Sequence, residues 1–221
     1  AMRMPFAAMR ILPPPQHPSQ QTTAAKLARA LALVELAHRT QRYSGQVSLI
    51  DHARAWTRVQ ALLREPNVMS ASERDRLHLS ETALASSSIT YYRAADANRI
   101  PERALRAELS KGNFEAARQL LDNVSLSANA SFYRTILDCV QCSTSQLVQQ
   151  LDETAQRIDL SPDLRDEARF YLGCLAIELG DAPRASQELQ RLATAEANSP
   201  FRDIAQFYVS QLQAAPRNIA R

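Results

Sequence analysis

Residues 169–200 read RFYLGCLAIELGDAPRASQELQRLATAEANSP, an apolar helical stretch, a Gly-Asp step and then an amphipathic helix from Pro183 to about Glu196. The Phe170-Tyr171 pair inside that stretch has counterparts. Phe132-Tyr133 lies 38 residues before it and Phe207-Tyr208 lies 37 residues after it, each within an apolar helix. Amphipathic helices fill the intervals, at Gln146 to Ile158 and Pro183 to Glu196, so the order reads helix A, helix B, helix A, helix B, helix A. A fixed period of this length is the signature of a repeated supersecondary unit that buries its apolar face on its neighbours. A Gly-Asp turn alone would be a weak signal, because any pair of antiparallel helices can use one.

The unit at 169–200 resembles the tetratricopeptide repeat. The resemblance implies that Leu172-Gly173 in helix A lets helix B approach and that Gly180-Asp181 makes the turn. It also implies that Ala185 packs into the gap, that Leu189 fills the space between repeats, and that Pro200 opens the next helix. A second copy, ELSKGNFEAARQLLDN at residues 108–123, repeats the turn as Gly112-Asn113-Phe114, the packing alanine as Ala117 and the large apolar residue as Leu121. The middle copy, residues 129–158, has no turn glycine. The best copy departs from the family pattern by lacking its tryptophan, and Ala176 stands where its second aromatic would be. The resemblance covers about residues 101–213 and implies an α-solenoid whose A helices line a groove for a peptide or a partner helix. The groove candidates are Arg134, Asp138, Arg169, Glu178, Gln206 and Gln211.

Four glycines in 221 residues, Gly45, Gly112, Gly173 and Gly180, are too few for a turn-rich β fold or a phosphate-cradling loop, and the composition favours helix. The expected class is all-α. Residues 11–18, ILPPPQHP, form an extended arm, because consecutive prolines remove donors and clash with a preceding helical turn. Ser19 is read as the cap of a helix running to about Tyr43, with Leu27, Leu31, Val34 and Leu36 as its stripe. Ser48 starts the next helix, where Leu49, Ala53, Trp56, Val59 and Leu63 recur until Pro66; His52 is read as a structural histidine packed on the Trp56 indole. Ser70 and Glu73 form a capping box for a third helix carrying Leu77, Leu84 and Tyr91, which ends near Asn98, with a competing kink at Ser86, Ser87 and Ser88. The domain reading is an arm at 1–18, a helical region at 19–98 and helical repeats at 99–221, or one continuous solenoid.

Residues 1–70 hold nine Arg or Lys against three acids, whereas 71–221 hold 17 against 20, so the net +3 is concentrated at the front. A basic front could meet an anionic surface. Its arginines are scattered among apolar residues, which reads as solvated helix faces. Nucleic acid is therefore a disfavoured partner, a regulator that binds it through the basic N-terminal half being the alternative function, and the aromatic pairs read as core rather than as base-stacking platforms.

No apolar run reaches the roughly 18 residues that span a bilayer. The opening AMRMPFAAMR lacks a signal-peptide core, so a cytoplasmic location is expected, with the periplasm as alternative. Cys139, Cys142 and Cys174 are too sparse for a disulfide framework, and Cys139-Val140-Gln141-Cys142 has no partner ligands to complete a zinc site. No cofactor or metal is expected. The four histidines, His17, His38, His52 and His78, show no catalytic spacing, and no nucleophile, metalloprotease or phosphate-loop motif occurs, so no enzyme activity is expected. A protein or peptide partner is expected instead, together with self-association through the final helix, whose Ile204, Phe207, Tyr208 and Leu212 have no helix B after them.

Overall fold

A computed structural model describes residues 22–44, 49–65, 69–93, 101–124, 129–138, 144–194 and 199–214. The described residues form ten helices and no strand: α1 Thr23–Ser44, α2 Leu49–Arg64, α3 Ala71–Arg93, α4 Pro101–Ser110, α5 Phe114–Val124, α6 Ala130–Asp138, α7 Thr144–Gln156, α8 Pro162–Leu179, α9 Ala182–Ala193 and α10 Arg202–Ala214. The all-α class follows. No described helix is long and apolar enough to cross a membrane.

The first cap differs from expectation. Ser19 lies outside the described residues, and α1 begins after Thr22, whose Oγ1 accepts the Ala25 amide at 3.3 Å. Threonine at that position satisfies one of the orphan donors of the first turn, as serine would have. The capping box at α3 is formed: Glu73 accepts the Ser70 amide at 2.9 Å, and Ser70 Oγ accepts the Glu73 amide at 3.4 Å. Helix α3 runs unbroken through Ser86, Ser87 and Ser88. Leu77 and Leu84 are buried there, while the Tyr91 side chain and Asn98 lie outside what is described.

Two turns share one hydrogen-bond pattern. Gly180 has φ +78°; its amide donates to Ile177 at 3.1 Å, and the Asp181 amide reaches back to Ala176 at 2.9 Å. Gly112 has φ +77°, with its amide on Leu109 at 3.1 Å and Asn113 on Glu108 at 3.0 Å. This left-handed helix stop favours glycine because a Cβ crowds the next carbonyl. Asp181 then caps α9 by accepting the Arg184 amide at 3.1 Å. Ala117 and Ala185 occupy equivalent places after the two turns, and both are fully buried. Leu121 and Leu189 follow, also buried.

Helix α8 is the centre of the molecule. Every residue from Phe170 to Glu178 is buried, so the helix is covered on all sides, as its nearly continuous apolar run requires. Helices α7 and α9 flank it, and from α4 to α9 each helix packs on the next in the chain. Phe170 stacks on Phe201 and Tyr208, with ring centroids 5.1 and 6.0 Å apart, which fastens α10 to α8.

The N-terminal helices are part of the same body. α1 and α2 pack on each other, α2 also touches α4 and α6, and α1 touches α10. One hydrophobic core runs from Leu27 to Val209. Helix α10 packs on α9 and touches α1; of the flank that the sequence leaves without a helix B, Ile204 and Tyr208 are buried, and Phe207 and Leu212 are half-buried.

Candidate functional site

Two polar ties fix the N-terminal helix pair on α8. Arg106 of α4 grips the buried Glu167 through both terminal nitrogens at 3.0–3.1 Å. Tyr171 donates to Glu167 at 2.5 Å, and its hydroxyl accepts the backbone amide of Leu49 at 2.9 Å. The Arg106 guanidinium also lies 6.0 Å from the Tyr133 ring centroid. The second tie is a buried ion pair between Arg54 of α2 and Glu178 of α8.

Around Glu178 positive charge is in excess. Burial pushes its carboxyl up, but the guanidinium groups of Arg54, Arg58 and Arg29 outweigh that and hold it below the usual carboxylate range. Arg58 is drawn down to about 10 by burial and by the like charge of Arg54, with Glu178 only partly compensating. Nearby Cys174 is buried, and burial pushes its thiol well up. A thiol kept protonated is an inert packing group rather than a nucleophile.

The six groove candidates do not converge. Arg134 and Asp138 are exposed and share a shallow polar recess of about 230 Å³ on the seam between α6 and α7, with Gln150, Glu153 and Arg157 on its other wall. Arg169 is half-buried beside Asp166, at 3.9 Å. Glu178 is buried and committed to Arg54, because α2 lies over this end of α8. Gln206 is exposed and donates to the carbonyl of Ala193 at 3.2 Å, closing the end of α9. Gln211 is half-buried on α10.

A Cβ built on Gly173 would lie 2.6 Å from Leu189 Cγ, so Leu189 packs against Gly173 inside the helix pair. Leu172 is buried, and Pro200 precedes α10 by two residues. Cys139 and Cys142 lie outside the described residues. Among the described residues no cluster of His, Cys, Asp and Glu has the make-up of a metal site.

One cleft was not legible in the sequence. It has a volume of about 530 Å³ and lies between α2, which contributes Trp56, Thr57, Gln60, Ala61 and Arg64, and the α4–α5 turn, which contributes Lys111 to Phe114. Helical spacing puts Trp56 in the core stripe with Leu49, Ala53 and Val59; those three do turn inward, but the indole is only half-buried. Its Nε1 donates to the Ser110 carbonyl at 3.1 Å, and its ring lies against Gly112, where a Cβ would approach Cγ to 3.0 Å. The glycine that makes the turn is also the seat of the tryptophan.

The cleft is rich in donors. Lys111 and Asn113 both reach Glu108, at 2.9 and 2.7 Å. Burial pushes the Glu108 carboxyl up, and these two hydrogen bonds more than reverse it. Arg64 is exposed and makes no ion pair with the described residues. Trp56 and Phe114 supply flat apolar surface, whereas the polar groups are cationic or amide. No protein-family model matches this chain, and no curated protein or solved structure matches it either.

Proposed function

We propose that this chain is a non-catalytic binding module in which the pairs α4–α5, α6–α7 and α8–α9 stack as a short tetratricopeptide-like solenoid, with α1 and α2 laid across the A helices. What it holds is an extended peptide segment, and the site is the Trp56 cleft rather than the groove implied by the repeat. The observation that carries this reading is the cleft itself: a half-buried tryptophan, fixed by Ser110 and Gly112, beside the exposed Arg64 and beside Gln60, Lys111 and Asn113, which donate to Glu81 and Glu108 and each carry a further N–H. An aromatic anchor with a donor rim is the usual chemistry of peptide capture. The regulator reading, nucleic acid on the basic front, is less well supported, because Lys26, Arg39 and Arg54 are each turned onto a carboxylate of this chain.

The chain has one tryptophan, so the site reports on itself. Peptides selected from a random display library should shift Trp56 emission on titration, and Arg64→Ala with Gln60→Ala should weaken them about tenfold or more. Selected peptides that bind without moving the emission, or that bind the double variant equally well, would place the site elsewhere.

A further inference from the structure

The following rests on the reading of the Trp56 cleft as a peptide site and names its resident occupant. We propose that the cleft binds the proline-rich segment of this same chain, residues 11–18, ILPPPQHP, in cis, so that the module carries its own competitor.

The chemistry of the two parts matches. Consecutive prolines preset φ near −65° and favour a polyproline II strand, which loses little entropy on docking and leaves its carbonyls without internal partners. Such a strand needs flat apolar surface for its rings and donors for its carbonyls. Trp56 and Phe114 provide the first. Arg64 provides the second, together with the N–H groups of Gln60, Asn113 and Lys111 that are left after each has given one to Glu81 or Glu108, and the segment itself carries no charge that these cations would repel.

The tether also fits. The described chain begins at Thr22, and Lys26 in the first turns of α1 is bonded to Glu65 at 3.0 Å, next in sequence to Arg64 of the cleft. The segment is thus attached at the Arg64 end. From Pro15 to Thr22, seven residues at about 3.1 Å each reach about 22 Å. From Arg64 to Trp56, eight helical residues span about 12 Å. A tether of this length holds the segment at an effective concentration in the millimolar range, so even a weak intrinsic affinity fills the cleft.

The test uses the full chain and a serine variant, Pro13→Ser with Pro14→Ser and Pro15→Ser, which changes no described helix. Helical content by circular dichroism should be equal in the two. Trp56 in the variant should emit further to the red, and acrylamide quenching should rise about twofold as one ring face opens. The synthetic peptide RILPPPQHPS should reverse both effects in the variant and leave the parent chain unmoved. Identical quenching in parent and variant, with the synthetic peptide failing to bind while library peptides still shift Trp56, overturns the self-occupancy and leaves the cleft reading standing. If no peptide of any sequence moves Trp56, both fall. Quenching in the parent that depends on protein concentration, with a dimer in light scattering, would show the segment bridging two copies, which also overturns occupancy in cis.

Discussion

Leu189 fills the space beside Gly173 so closely that a Cβ on the glycine would stand 2.6 Å from its Cγ. Gly173→Ala gains about 1 kcal/mol of helix propensity. Against that, overpacking in a closed core costs about 1–3 kcal/mol. Urea unfolding should therefore show a net loss, and adding Leu189→Ala should cost less in the alanine background than in the parent. Strictly additive losses would mean that the two residues are not in contact.

Gly112 and Gly180 make the same turn with different surroundings. Both have φ near +78°, but nothing lies within 4 Å of a Cβ on Gly180, whereas one on Gly112 meets the Trp56 ring. Gly180→Ala should cost only the left-handed penalty, about 1–2 kcal/mol. Gly112→Ala should cost more, and it alone should change Trp56 emission. Equal costs with unchanged emission would separate the tryptophan from the turn.

Glu178→Gln should cost about 3–5 kcal/mol near neutral pH, since it leaves Arg54 buried without its counter-charge. The sign with pH follows from a carboxyl held lower when folded than when unfolded. Its stabilisation is complete above the unfolded value of about 4.3 and is lost as pH falls through the folded value. The gap between parent and variant should thus narrow on the acid side. A gap that stays constant down to about pH 3 would show that charge is not its source.

Tyr171→Phe removes the hydroxyl that accepts the Leu49 amide and donates to Glu167. A buried amide left without an acceptor costs about 1–3 kcal/mol. Hydrogen exchange should locate the damage in the first turn of α2, 122 residues away in sequence. Exchange that rises only within α8 would contradict the tie.

Much of the fold is legible in the sequence because it is local. The turn glycines, the capping box at Ser70 and Glu73, and the Phe-Tyr pairs each announce themselves within one helix pair, and Tyr133, Tyr171 and Tyr208 are all buried. The placement of α1 and α2 is not local. It depends on Arg54 meeting Glu178 and Leu49 meeting Tyr171, and neither pair leaves a periodic trace. Arg54 looks like any solvated arginine on an amphipathic helix until its partner is known. For the same reason Glu178 was read as a groove residue. The Trp56 cleft is likewise made by two segments distant in sequence, joined by the seat of the indole on Gly112 and its hydrogen bond to Ser110.

Leu49 and Arg54 are synthesised more than a hundred residues before Tyr171 and Glu178, so the first helix pair to leave the ribosome lacks its acceptor and its counter-ion until α8 is made. Local helix pairing is fast, but this closure must wait for a distant segment. The surface of α1 that packs on α10 stays uncovered for longer still, open to misassembly or to a chaperone. Maturation of this chain is thus governed by its latest-made half, and a nascent fragment ending before α8 should need assistance that the finished protein does not.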